Sequence, residues 1–148
     1  MPITPRYILV CDDFRREDNG KWILIGLYTP DMVVPQIPFG MPTLTFFMNL
    51  ESDRPGTFGF RITLQHVESG AILAQAMGMI PIANPQGPII CPVKIGGVQF
   101  NSAGLYSFSV AIDGQADPLV VTWNVILNVP GPGGANPGQP LGPPRLGQ

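Results

Sequence analysis

The chain has 148 residues, 45% of them apolar and only 12% charged, with a formal net charge of −2. The length suits one domain, while the charged share is about half of the roughly 25% usual in a soluble domain. Eight unclustered basic residues exclude a phosphate-reading face, so no nucleic-acid partner is expected.

The chain opens on Met1-Pro2-Ile3-Thr4-Pro5-Arg6, without the basic and then apolar pattern of a signal peptide. No apolar run approaches the roughly 20 residues of a membrane span. The expectation is a protein without membrane contact, cytoplasmic or incorporated into an assembly.

The first element is the apolar run Tyr7–Cys11. A polar stretch from Asp12 to Lys21 follows and holds seven charged side chains: Asp12, Asp13, Arg15, Arg16, Glu17, Asp18 and Lys21. Asn19-Gly20 within it is a hairpin dipeptide, and Trp22–Tyr28 resumes the apolar pattern. The stretch reads as a polar elbow between two buried strands, with Arg15 or Arg16 paired to Asp12, Glu17 or Asp18. Asp13–Asp18 also has room for one helical turn. Asp12, Arg15, Arg16, Glu17 and Lys21 are the candidate partner contacts. The carboxylates fit no EF-hand spacing, and the neighbouring cations offset their charge, so calcium is not expected. Asp12-Asp13 would serve as acid and base only in a cleft that raised one pKa.

Period-two alternation then recurs. Leu44, Phe46, Met48 and Leu50 form one apolar face, and Phe58, Phe60, Ile62 and Leu64 form the next. Further strands are expected at 72–80, brokenly at 89–100, at 105–112 with Tyr106, Phe108, Val110 and Ile112 inward, and at 121–127 with Val121, Trp123, Val125 and Leu127 inward. Pro55-Gly56, Glu68-Ser69-Gly70 and Asp113-Gly114 mark turns. About eight short strands with such punctuation predict an all-β fold: an antiparallel β-sandwich of immunoglobulin-like or fibronectin-like kind.

An internal echo supports this. Pro55-Gly56-Thr57-Phe58 aligns with Ala103-Gly104-Leu105-Tyr106, a glycine turn followed by an aromatic at the second strand position. Tyr106 has the hydroxyl of a tyrosine corner and Phe58 does not.

Little in the chain carries chemistry. The lone His66 ends an apolar strand face and reads as a strand-end histidine partly covered by a loop. Ser69 and Ser102 lie in turns without a visible partner, and no nucleophile elbow occurs. Cys11 and Cys91 sit in apolar runs as small hydrophobes, and two cysteines set no disulfide framework. No enzyme activity, metal or cofactor is expected.

Residues 1–128 form the expected sandwich domain, and 129–148 a separate Pro/Gly-rich extended tail with six Pro and six Gly. Pro140, Pro143 and Arg145 in the tail match the Pro-x-x-Pro-x-Arg pattern read by SH3-type grooves and are further candidate contacts.

Cys11-Asp12-Asp13-Phe14-Arg15-Arg16-Glu17-Asp18-Asn19-Gly20-Lys21, followed by Ile25-Gly26-Leu27-Tyr28, Ile37-Pro38-Phe39 and the strand Leu44–Leu50, resembles a family of small bacterial proteins of unknown function. That pattern is roughly Ala/Cys-Asp-x-x-Arg-x-Glu-x-x-Gly-Lys, then Gly-Leu/Val-Tyr, then Pro-Gly-x-Tyr/Phe strands, here over about residues 6–127. The resemblance implies a β-sandwich and no particular activity. The expected function is a non-catalytic structural or protein-interaction module that pairs with a protein partner or with itself. A subunit of a larger assembly, such as a phage-like particle or filament, would fit. The alternative is a small-molecule or sugar-binding sandwich using the loop aromatics Trp22, Tyr28 and Phe39.

Overall fold

A computed structural model of the chain describes residues 2–29 and 31–128. The proposed tail, with Pro140, Pro143 and Arg145, lies outside the described residues. Nine strands and no helix are present among them: β1 (Ile3–Arg16), β2 (Trp22–Tyr28), β3 (Met32–Val34), β4 (Phe39–Ser52), β5 (Gly56–His66), β6 (Ile72–Ile82), β7 (Ile89–Phe100), β8 (Gly104–Ile112) and β9 (Leu119–Leu127). The eight expected strands are all there. The ninth, β3, is only three residues long, too short to show alternation.

The strands form two sheets, ordered β2-β1-β4-β7 and β3-β9-β8-β5-β6. All pairings are antiparallel except β3 with β9, which is parallel. The core lies between the sheets. Phe46 of β4 stacks on Phe108 of β8 with centroids 3.7 Å apart, and Trp123 and Tyr106 pack beside them. Leu44, Phe46, Met48 and Leu50 are buried there as the alternation predicts, as are Tyr106, Phe108, Val110 and Ile112. Leu127 departs from the pattern and is exposed at the end of β9.

The tyrosine corner forms at Tyr106, whose hydroxyl donates to the Ser102 carbonyl at 2.7 Å. Both cysteines are free. Cys11 pairs with Thr45 and Cys91 with Met48, and those two β4 positions face opposite sides of the sheet. A bridge between them would have to cross the sheet.

Thr45, Phe47 and Asn49 are buried although they face away from the core. The first hairpin covers them. In register, Leu9 lies beside Phe47 and Arg16 beside Trp22. Leu9 and Arg16 are seven positions apart, about 23 Å of extended chain at roughly 3.3 Å per residue. Yet the Trp22 and Phe47 rings meet edge-on at 5.5 Å. The far half of the β1–β2 hairpin therefore folds back as an arm over the outer face of its own sheet. Ladder pairing of β1 with β4 stops at Cys11, which puts the bend at Asp12 and Asp13.

Candidate interaction surface

The bend is built from the residues that open the charged stretch. Asp12 stands across from Gly26, whose φ of +67° is a left-handed conformation that favours glycine. A Cβ at Gly26 would come within 2.2 Å of Asp12 Oδ2. The same carboxylate accepts a hydrogen bond from the Tyr28 hydroxyl, and the Asp12 carbonyl accepts one from Thr43 Oγ1 at 2.8 Å. Asp12, Gly26 and Tyr28, separate in sequence, thus form one cluster. Burial, and then the Asp12 carboxylate, push the Tyr28 phenol well above its ordinary range. Burial, and then the charges of Asp12 and Asp13, push the Cys11 thiol up as well, which keeps it protonated and a poor nucleophile.

Past the bend, the underside of the arm is aromatic. Phe14 and Trp22 lie 5.7 Å apart, with Trp22 on Phe47. Lys94 of β7 meets Asp13 at 2.5 Å and places its ammonium 4.8 Å from the Phe14 ring centroid. The Lys94 hydrogen bond holds the Asp13 carboxyl below its ordinary range. Arg16 lies over the Trp22 ring at 5.3 Å.

The expected ion pairs within the elbow do not form. Among the described residues, neither Arg15 nor Arg16 meets Asp12, Glu17 or Asp18. Cross-strand register explains this: it sets Arg15 beside Ile23 and Arg16 beside Trp22, leaving Glu17 and Asp18 in the turn. The turn is closed by backbone instead, with Glu17 N–H donating to the Lys21 carbonyl and Gly20 N–H to that of Glu17. Nor is there a helical turn, since β1 runs to Arg16. Of the candidate contacts, Arg15, Arg16, Glu17 and Lys21 are exposed on the arm, while Asp12 belongs to its hinge.

The expectation of two buried strands fails for β2. It is an edge strand, and Ile23, Ile25 and Leu27 are 41%, 38% and 47% exposed. Two of the other three edges are guarded in ways typical of natural sheets: β7 carries Pro92, Lys94 and the left-handed Gly97, and β3 is very short. β6 has Pro81 near its end, but Ile72–Ile80 carries no charge and exposes Met77 and Met79, so it is a second apolar edge. From Trp22 to Tyr28, β2 has no proline and no charge. Gly26 inside an apolar strand pattern was the one sequence signal of this geometry.

Of the three aromatics expected in loops, all lie in strands. Trp22 packs under the arm, Phe39 pairs across from Phe100, and Tyr28 lines a cleft. His66 is buried, and the structure supplies the partner that Ser69 lacked in sequence. Nε2 faces the Ala103 carbonyl at 3.1 Å, which can only accept, so Nδ1 accepts the Ser69 hydroxyl at 2.7 Å. Both ring nitrogens are thereby engaged, Nδ1 within the 66–71 turn and Nε2 with the loop before β8. Among the described residues no three His, Cys, Asp or Glu side chains group closely enough to hold a metal ion, and no helix is long and apolar enough to cross a membrane.

Residues 6–119 match a family of unknown function, DUF6941. Comparison with curated proteins finds no match.

Proposed function

The chain belongs to the DUF6941 family, which names no activity, and from its geometry we propose that it is a non-catalytic structural or protein-interaction module. It works as a subunit of a larger assembly, in the cytoplasm or within that assembly, and takes neither nucleic acid nor membrane as partner. The observation that carries this reading is the β2 edge. An unguarded apolar edge strand offers backbone donors and acceptors for strand addition, and Ile23, Ile25 and Leu27 add apolar area beside them. The exposed charges of Arg15, Glu17 and Lys21 ring this edge and set the orientation of an incoming partner.

The narrower resemblance, to small bacterial proteins sharing the Asp-x-x-Arg-x-Glu-x-x-Gly-Lys pattern, belongs to the same proposal. It is supported by the way Asp12, Gly26 and Tyr28 meet at the hinge. The sugar-binding alternative has less behind it, because Trp22 and Phe39 are committed to packing and offer no free ring. Light scattering coupled to size-exclusion chromatography across a wide concentration range tests the reading. Concentration-dependent association is the expected result. A strict monomer whose thermal stability responds to a small-molecule screen would overturn it.

A further inference from the structure

The seam between β1 and β9 is a second, differently built surface. β2 pairs with β1 only from Val10 onward, and β3 pairs with β9 only from Val125 onward. Among the described residues, the sheet edges at Pro5–Leu9 and at Leu119–Asn124 therefore have no strand partner on the sides where the two sheets approach. Between them lies a cleft of about 350 Å³ lined by Ile8, Val10, Tyr28, Val121, Thr122 and Trp123. Farther along β1, the Gln115 side-chain oxygen accepts the Ile3 N–H at 2.8 Å and so stands in for a neighbouring strand at that rung. Along Pro5–Leu9 and Val120–Asn124 no loop or side-chain hydrogen bond reaches the backbone among the described residues. Trp123 is 3% exposed, and among the described residues its buried indole N–H has no acceptor.

Resting on the interaction-module reading, we propose that this seam accepts an extended, uncharged segment of a partner chain as an added strand. Open backbone requires an extended occupant, laid along one of the two edges. β1 and β9 already come within 8 Å of each other, and a strand paired to both would need about 4.8 Å on each side. The lining holds no charged side chain, so a charged segment would lose its hydration without gaining a counter-charge. The volume is at the low end for ligand pockets, about 300–1,000 Å³, which suits a few alternate Val, Ile or Thr side chains rather than a folded domain. The Pro-rich residues 129–148 suit the seam poorly, because each proline removes a ladder donor.

The test is NMR of the ¹⁵N-labelled full chain titrated with the peptide acetyl-Thr-Val-Thr-Val-Thr-amide. Saturable shifts are expected at the amides of Ile8–Val10 and Val121–Trp123, together with the Trp123 indole N–H. Thr122 is exposed, so Thr122→Lys places a charge at the rim without disturbing the core. It should weaken the response about tenfold or more, while Thr122→Ser keeps it. Shifts confined to Ile23–Leu27 would overturn the seam as the site and leave the interaction-module reading standing on β2. No saturable response anywhere at ~1 mM peptide, an affinity near 4 kcal/mol, would also overturn the seam; the module reading is judged separately by light scattering.

Discussion

Asp12 and Gly26 face each other across the first hairpin, and the aspartate carboxylate fills the space that any side chain at position 26 would need. This contact fixes the bend from which the arm folds back, so it should be sensitive to a single methyl group. Gly26→Ala adds a left-handed alanine and displaces Asp12 from the Tyr28 hydroxyl. The expected loss of stability is roughly 2–4 kcal/mol from these two effects together, read by denaturant unfolding. A variant within about 0.5 kcal/mol of wild type, the range of an ordinary surface change, would show that the bend does not depend on this contact.

Alkaline pH should weaken the fold by a defined route. Burial raises the hydroxyls of Tyr28 and Tyr106 and the thiols of Cys11 and Cys91. Each folded-state pKa lies above its unfolded value, so the folded chain holds these protons more tightly. The associated stability is fully present below the unfolded values, about 8.5 for Cys and 10 for Tyr. It is lost as pH rises through the folded ones. Thermal unfolding between about pH 8 and 11 should show a falling melting temperature. Tyr28→Phe should flatten the upper part of that fall, and an unchanged slope would remove Tyr28 as a contributor.

The arm shields Cys11, which is 0% exposed. Trp22→Ala removes the ring that spans from Phe14 to Phe47 and should loosen the arm at a cost of about 1–3 kcal/mol for a half-buried aromatic. Thiol labelling in a Cys91→Ala background reads this directly. Cys11 should react slowly in the parent and at least about tenfold faster in the variant, the factor that corresponds to 1.4 kcal/mol of easier opening. Equal rates would mean that the arm does not control access to Cys11.

Much of the fold could be read from the chain because Phe58, Ile62, Leu64, Phe108 and Val110 sit on strands with one wet face, where alternation is visible. β4 hid more. Leu44–Leu50 is buried on both faces, since the arm covers Thr45, Phe47 and Asn49, and a buried row of mixed polarity looks like an exposed one. The charged elbow was legible as a hairpin but not as an arm, because folding back depends on a ring contact between Trp22 and Phe47 that sequence distance conceals. The ion pairs expected there failed because strand register, not proximity in sequence, chooses a side chain's neighbours. The β1–β9 seam left no local signal at all; it exists because β2 and β3 stop pairing where they do.

The two echoed corners should differ in their dependence on the aromatic. Tyr106→Phe leaves the Ser102 carbonyl without its 2.7 Å donor and should cost about 1–2 kcal/mol. Phe58→Tyr at the equivalent position offers a hydroxyl where the wild type has none and should bring no comparable gain. Denaturation midpoints of the two variants compare them, and a neutral Tyr106→Phe would reduce the corner to ordinary packing.

The β2 edge separates association from folding. Ile25 is partly exposed and lies beside Asp13 in the hairpin ladder, so Ile25→Lys adds a charge at the free edge without opening the core. Natural sheets use an edge lysine for this purpose, since strand addition would desolvate its ammonium. Stability should stay within about 1 kcal/mol of wild type, because the new charge also sits near a carboxylate and remains solvated. Association by light scattering should fall at least about tenfold, equivalent to 1.4 kcal/mol. Ile25→Val, which keeps the apolar edge, should associate as the parent does. If Ile25→Lys associates normally while Thr122→Lys does not, contact between copies runs through the seam and the β2 edge is free for another partner. If neither substitution changes association, the strand-addition basis of the module fails at both edges.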